Sequence, residues 1–174
     1  MDKKYFIGIY WGVRKEDIET CAYKVDATFK LLKNIDSSFA EWYKTSRPKK
    51  NEILQTLDLS IEGIKQLLIK GQHYSDVGRR LIEDLGFLFS VKSVKEYRQA
   101  HNLSFSCGAY VEPISNNVNI NLSSVIDKQH LTDQVILQKI YKGLVDIWQP
   151  DWGVIRCDDT DLLLEHNLSQ VKLN

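Results

Sequence analysis

The chain has little with which to build a cross-linked, metal-stapled or membrane-spanning protein. Cysteine occurs three times in 174 residues, as Cys21, Cys107 and Cys157. An odd number at wide spacing argues against a disulfide framework and suits a reducing compartment, where buried thiols are the ordinary outcome. No stretch approaches the ~20 apolar residues that span a bilayer, and neither end carries a lipidation motif. Met1-Asp2-Lys3-Lys4 leads into a short apolar run interrupted by Gly8 and Gly12, without the length or cleavage site of an export signal. A cytosolic protein is the expectation. Net charge is also missing, since Lys and Arg total 23 and Asp and Glu total 23. No global field then draws phosphate, and a nucleic-acid binder would depend on a local patch such as Arg47, Lys49, Lys50, Arg79 and Arg80.

The signatures of common chemistries are absent as well. His73, His101, His130 and His166 are isolated and no cysteine lies near another, so no metal-ligand spacing appears. Gly8 and Gly12 flank an apolar run, but the residues around them match neither phosphate-binding fingerprint. No Gly-x-Ser-x-Gly elbow occurs. Pro150-Asp151 resembles the start of a magnesium-nuclease motif, yet no lysine follows until Lys172. Asp158, Asp159, Asp161 and Glu165 lack the alternation and glycine of a calcium loop. They read first as a solvated acidic face and second as a docking patch for a basic partner. The sequence thus predicts no catalytic residue, no cofactor and no metal. The rival enzyme reading needs a site assembled from dispersed residues such as His101, Cys107 and Asp151.

What is present is an ordinary globular composition, 43% hydrophobic, 26% charged and 10% aromatic. Tyr5 to Trp11 reads as an internal strand. Ile18, Cys21, Ala22, Val25, Phe29 and Leu32 mark one face of a long helix beginning near Asp17. Ser38 with Glu41 has the form of a capping box for a short helix carrying Phe39, Trp42 and Tyr43. Arg47-Pro48-Lys49-Lys50-Asn51 reads as an exposed basic loop. Ile61, Ile64, Leu67 and Leu68 predict a helix ended by Gly71, and Val77, Leu81, Ile82 and Leu85 another ended by Gly86. Phe87 to Val91, Leu103 to Val111 and Val118 to Leu122 read as strands, the last two joined as an antiparallel hairpin through Pro113 to Asn117. Thr132 is placed to cap a deeply buried helix that Pro150 stops, and Trp152 to Cys157 returns as a strand. The four tryptophans, Trp11, Trp42, Trp148 and Trp152, belong mainly to the core, with a binding surface as the sharper alternative. The expectation is a single α+β domain over residues 1–174: a mainly antiparallel sheet of about five strands against several helices, with 158–174 as a docked tail.

Read in order, several segments resemble the Immunity protein 52 family of bacterial polymorphic toxin systems. They are Tyr5-Phe6-Ile7-Gly8-Ile9-Tyr10-Trp11-Gly12 with Arg14, Trp42-Tyr43, Asp76-Val77-Gly78, Leu85-Gly86-Phe87, Cys107-Gly108 and Pro150-Asp151-Trp152-Gly153-Val154. The tail after Cys157 lies outside these motifs. The resemblance implies a cytosolic antidote that binds and blocks a cognate protein toxin, which the family associates with nucleases of restriction-endonuclease type. Such a protein needs no active site of its own. On that reading Asp158, Asp159 and Asp161 become candidate partner-binding residues, because a nuclease groove is basic.

Overall fold

Ile7, Ile9 and Trp11 are buried, while Phe6 and Tyr10 alternate with them on the opposite side, which makes β1 (Lys4–Trp11) a strand with two distinct faces. The computed structural model describes residues 4–45, 56–93, 100–123, 131, 133–157 and 160–167, with the backbone alone for residues 4 and 160–167. Five further long strands follow: β3 (Phe87–Lys92), β4 (Asn102–Cys107), β5 (Asn116–Ser123), β6 (Trp152–Cys157) and β7 (Thr160–Asn167). With the two-residue β2 (Tyr43–Lys44) they form one sheet in the order β2-β3-β4-β5-β1-β6-β7. Every neighbouring pair is antiparallel. The α+β class and antiparallel sheet agree with the sequence reading. The described residues hold seven strands against about five expected, because the short β2 edge and the tail strand β7 extend the two sides.

One face of this sheet carries the three α-helices of the described residues. α1 (Ile18–Ile35) opens at Asp17, whose carboxylate accepts from the Thr20 amide at 2.8 Å, and it buries Cys21, Val25, Phe29 and Leu32. α2 (Ile61–Lys70) is capped by Ser60 and buries Ile64 and Leu68. α3 (Gln134–Trp148) buries Leu137, Ile140, Leu144 and Trp148. Its cap is Asp133, which accepts from the Val135 amide at 2.7 Å; the expected cap Thr132 lies outside the described residues. These side chains meet Leu103, Phe105, Val118, Ile120 and Ile155 from the sheet in one core. Inside it the Trp148 indole donates to Thr28 Oγ1 at 2.9 Å and that hydroxyl donates to the Lys24 carbonyl, so a buried polar pair is fully matched.

Two expected helices do not form. Asp36 captures the Ser38 amide at 2.7 Å and closes a single 3-10 turn over Ser37–Phe39. Glu41 instead accepts from the Tyr43 hydroxyl, and Trp42 and Tyr43 run on into β2. Around residue 77 the apolar spacing imitates a helix, but Gly78 and Arg79 both take positive φ, 75° and 47°. The chain turns back there as a narrow hairpin in which Tyr74 pairs with Leu81, and Val77 at its tip is 87% exposed. Only a 3-10 turn, Glu83–Leu85, precedes Gly86. The basic loop Arg47-Pro48-Lys49-Lys50-Asn51 falls outside the described residues.

Candidate functional site

Antiparallel order brings most segments of the family-like pattern to one end of the sheet: the end of β1, the start of β3, the end of β4 and the start of β6. There the Gly12 amide donates to Asp151 Oδ2 at 2.9 Å, and the Asp151 amide donates to the Tyr10 carbonyl at 2.9 Å. Arg14 donates to the carbonyls of Trp148 at 2.8 Å and Gln149 at 3.3 Å, a cation on the exposed carbonyls of a helix C-terminus, and lies over the Trp11 ring. Glu16 is buried against Lys24 and lies 3.6 Å from Arg14 Nε.

Asn116 staples three segments together. Its oxygen accepts from Ala109 N at 2.8 Å, while its amide donates to the carbonyls of Gly12 and Ala109 at 2.8 and 3.0 Å. Gly86 and Gly108 sit at φ 65° and 76°, and a Cβ on Gly86 would overlap the Cys107 carbonyl, so the two glycine motifs mark backbones in contact. The motif residues at this end therefore join backbone to backbone. Sequence reasoning missed Asn116, since its role needs the strand register that puts it beside Gly12.

The dispersed enzyme constellation does not assemble. His101 and Cys107 lie six positions apart along β4 and its approach, about 20 Å for an extended chain. His101 Nδ1 accepts from the Ser123 amide at 3.1 Å, its Nε2 is 3.4 Å from Ser38 Oγ, and burial pulls its pKa down to about 4 against a smaller opposing effect of Asp36. Cys107 is buried against Cys21, and that contact followed by burial pushes its thiol well above the ordinary range. Asp151 is exposed and occupied with the Gly12 backbone. Among the described residues no group of three His, Cys, Asp or Glu could hold a metal ion. Of the basic candidates, Arg79 and Arg80 are exposed on the hairpin, and Arg47, Lys49 and Lys50 lie outside the described residues. Asp158 and Asp159 also lie outside them; Asp161 is in β7, where only the backbone is described.

Among the described residues no helix lies over the sheet's other face. On β4 and β5 it presents Ser104, Ser106, Asn117, Asn119 and Asn121, with Ser90 beside them on β3. On β1 and β6 it presents Phe6, Gly8, Tyr10, Trp152 and Arg156. Tyr10 stacks on Trp152 with ring centroids 4.2 Å apart and planes 14° from parallel, and a Cβ on Gly8 would come within 2.7–2.8 Å of Tyr10 and Phe6, so the rings lie over this glycine. A groove of ≈ 400 Å³ runs across the polar half, lined by Thr45, Ser90, Asn102, Ser104 and Asn121 among others. Three of the tryptophans are core residues, as the sequence favoured, and Trp152 is 39% exposed on this face.

Fold and surfaces define a two-layer α+β protein whose recognisable motifs hold its scaffold together. The chain belongs to the Immunity protein 52 family, whose model matches residues 3–167. The match runs past Cys157 through β7, so the family extends into the tail. No curated protein matches the chain. Among solved structures it is similar in fold to the Pseudomonas aeruginosa T6SS protein PA0821, with TM-score 0.51 and 11% identity over 89% of this chain. It spans 40% of that protein's chain. No helix of the described residues is long and apolar enough to cross a membrane.

Proposed function

We propose that this chain is a cytosolic, non-catalytic antidote that binds a cognate polymorphic toxin and neutralises it by direct protein contact, and that the toxin is a nuclease of restriction-endonuclease type. The family match across residues 3–167 carries the reading. The separation of His101 from Cys107 supports this reading over an enzyme site built on those residues. In this reading Asp158, Asp159 and Asp161 steer the antidote toward the basic substrate groove of the nuclease.

Co-expression with the toxin encoded beside this chain's gene tests the proposal. Restored growth and a stable purified complex are expected; growth restored without a complex refutes neutralisation by contact. Replacing all three aspartates with Asn should slow association several-fold at low salt and flatten its salt dependence. Unchanged association kinetics would remove these residues from the reading.

A further inference from the structure

A hollow of ≈ 240 Å³ opens at the motif end of the sheet, between the β1–α1 connection and the hairpin in which Tyr74 pairs with Leu81. Ile18, Leu81 and Phe87 give it apolar walls, Tyr110 adds a ring, and Glu16 and Glu83 are its carboxylates. Gly86 and Gly108, from two of the family-like segments, line it as well. Backbone bonds fix these walls: Arg14 N donates to the Ala109 carbonyl, Tyr110 N to that of Asp84 and Leu88 N to that of Gly71, each at 2.9 Å. The hollow is therefore formed before anything enters it, which lowers the cost of binding. Glu16 is its unusual member. The Glu16 side chain is 7% exposed, and its Oε1 takes both Lys24 and, at 3.6 Å, Arg14 Nε. Its Oε2 has no hydrogen-bond partner among the described residues. A buried acceptor left unmatched is costly, and a donor supplied from outside recovers that cost on binding. The last torsion of a glutamate is soft, so Oε2 can turn to a donor arriving in the hollow.

Resting on the antidote reading, we infer that this hollow receives one aromatic side chain of the toxin, a tyrosine or tryptophan, whose O–H or N–H donates to Glu16 Oε2. Size, wall chemistry and charge choose this occupant. Pockets for whole small molecules start at about 300 Å³, so ≈ 240 Å³ suits a single large side chain. Apolar walls with one free acceptor match a ring with a polar tip, since tyrosine and tryptophan need a hydrogen-bond partner when buried. Lys24 and Arg14 already neutralise Glu16, and among the lining residues Lys15 stands against Glu83, so a lysine or arginine would gain no net attraction. Tyrosine and tryptophan seated in closed pockets are also the side chains that dominate interface energies. Tyr74 and Leu81, paired across the hairpin and both exposed, carry the apolar surface outward from the hollow.

Two titrations test this, with a thermal melt for every variant. The first adds the nuclease domain of the toxin encoded beside this chain's gene. Leu81→Trp fills the hollow and leaves the three aspartates unchanged; it should keep the melting temperature within a few degrees and weaken binding about 30-fold or more, the loss of a hot-spot contact. Val135→Glu, on the exposed side of α3, should bind as wild type. A folded Leu81→Trp that binds within about three-fold of wild type overturns the inference. The second titration follows the backbone amide resonances of the chain alone as p-cresol, toluene or n-butylguanidinium is added. p-Cresol should move the signals of Leu81, Gly86 and Gly108 and bind about five-fold more tightly than toluene, the worth of one hydrogen bond. Toluene binding as tightly as p-cresol removes Oε2 from the site, and n-butylguanidinium binding more tightly than either assigns the hollow to a cation; each result refutes the aromatic donor. A wild-type chain that ignores the toxin while p-cresol binds as expected overturns the antidote reading itself, a result distinct from the other failures.

Discussion

Acidification should unfold this protein through a single imidazole. His101 is fully buried where the approach to β4 meets the segment after α1, touching Phe39 with ring centroids 4.8 Å apart, facing Ser38, and receiving the Ser123 amide on Nδ1. That amide needs an unprotonated nitrogen. Asp36 is the nearby carboxylate, and its attraction does not offset the loss of water around a charged ring, so the pKa falls from 6.5 to about 4. Below pH 6.5 the unfolded chain therefore binds a proton that the folded chain refuses. Stability is fully present above about pH 6.5 and is withdrawn as pH falls toward 4. At about 1.4 kcal/mol per pH unit, the drop from pH 6.5 to 5 removes about 2 kcal/mol, and the whole interval about 3 kcal/mol, on top of general acid effects. Urea denaturation at half-unit steps, comparing wild type with His101→Gln, isolates the contribution. The variant should be less stable at pH 7 and lose about 2 kcal/mol less than wild type between pH 6.5 and 5. Parallel pH profiles for the two proteins would refute the reasoning.

Two backbone and core predictions follow from the same packing. Gly86→Ala should cost more than about 2 kcal/mol, because the left-handed φ and the Cys107 carbonyl both exclude a Cβ; a midpoint shift in urea measures it. Thr28→Val removes the acceptor of the Trp148 indole and should cost about 1–3 kcal/mol, whereas Thr28→Ser, which keeps the hydroxyl, should cost under half as much.

Local chemistry made some elements readable and hid others. Trp152 to Cys157 was legible because Pro150 stops the preceding helix and the strand that follows is short and apolar, and β6 has those bounds. Around Ser38 two oxygens competed for the same amides, and Asp36 won because it sits before the turn and already accepts from Ser38. Val77, Leu81, Ile82 and Leu85 kept helical spacing while Gly78 and Arg79 reversed the chain, so periodicity misled where backbone sign decided. The alternation of β4 and β5 was visible. That the serines and asparagines of β3, β4 and β5 align was not, since alignment belongs to the register and no single segment contains it. Of the acidic residues chosen from sequence, Asp158 and Asp159 lie outside the described residues and Asp161 is in β7, and the staple Asn116 had no local signature.

The place of β1 in the middle of the sheet also imposes a schedule on synthesis. Strand β1 is hydrogen-bonded on one side to β5 and on the other to β6, both made more than a hundred residues later in the chain. At about 5–20 residues per second, roughly 6–22 s pass between Trp11 and Ser123, and β6 comes later still. Until then the apolar segment Tyr5–Trp11 has neither neighbour, and the helix α1 made next has no floor on which to set its buried face. Assembly of the sheet is thereby deferred until β6 has been made, so that a chain lacking β6 cannot complete the centre of its own sheet.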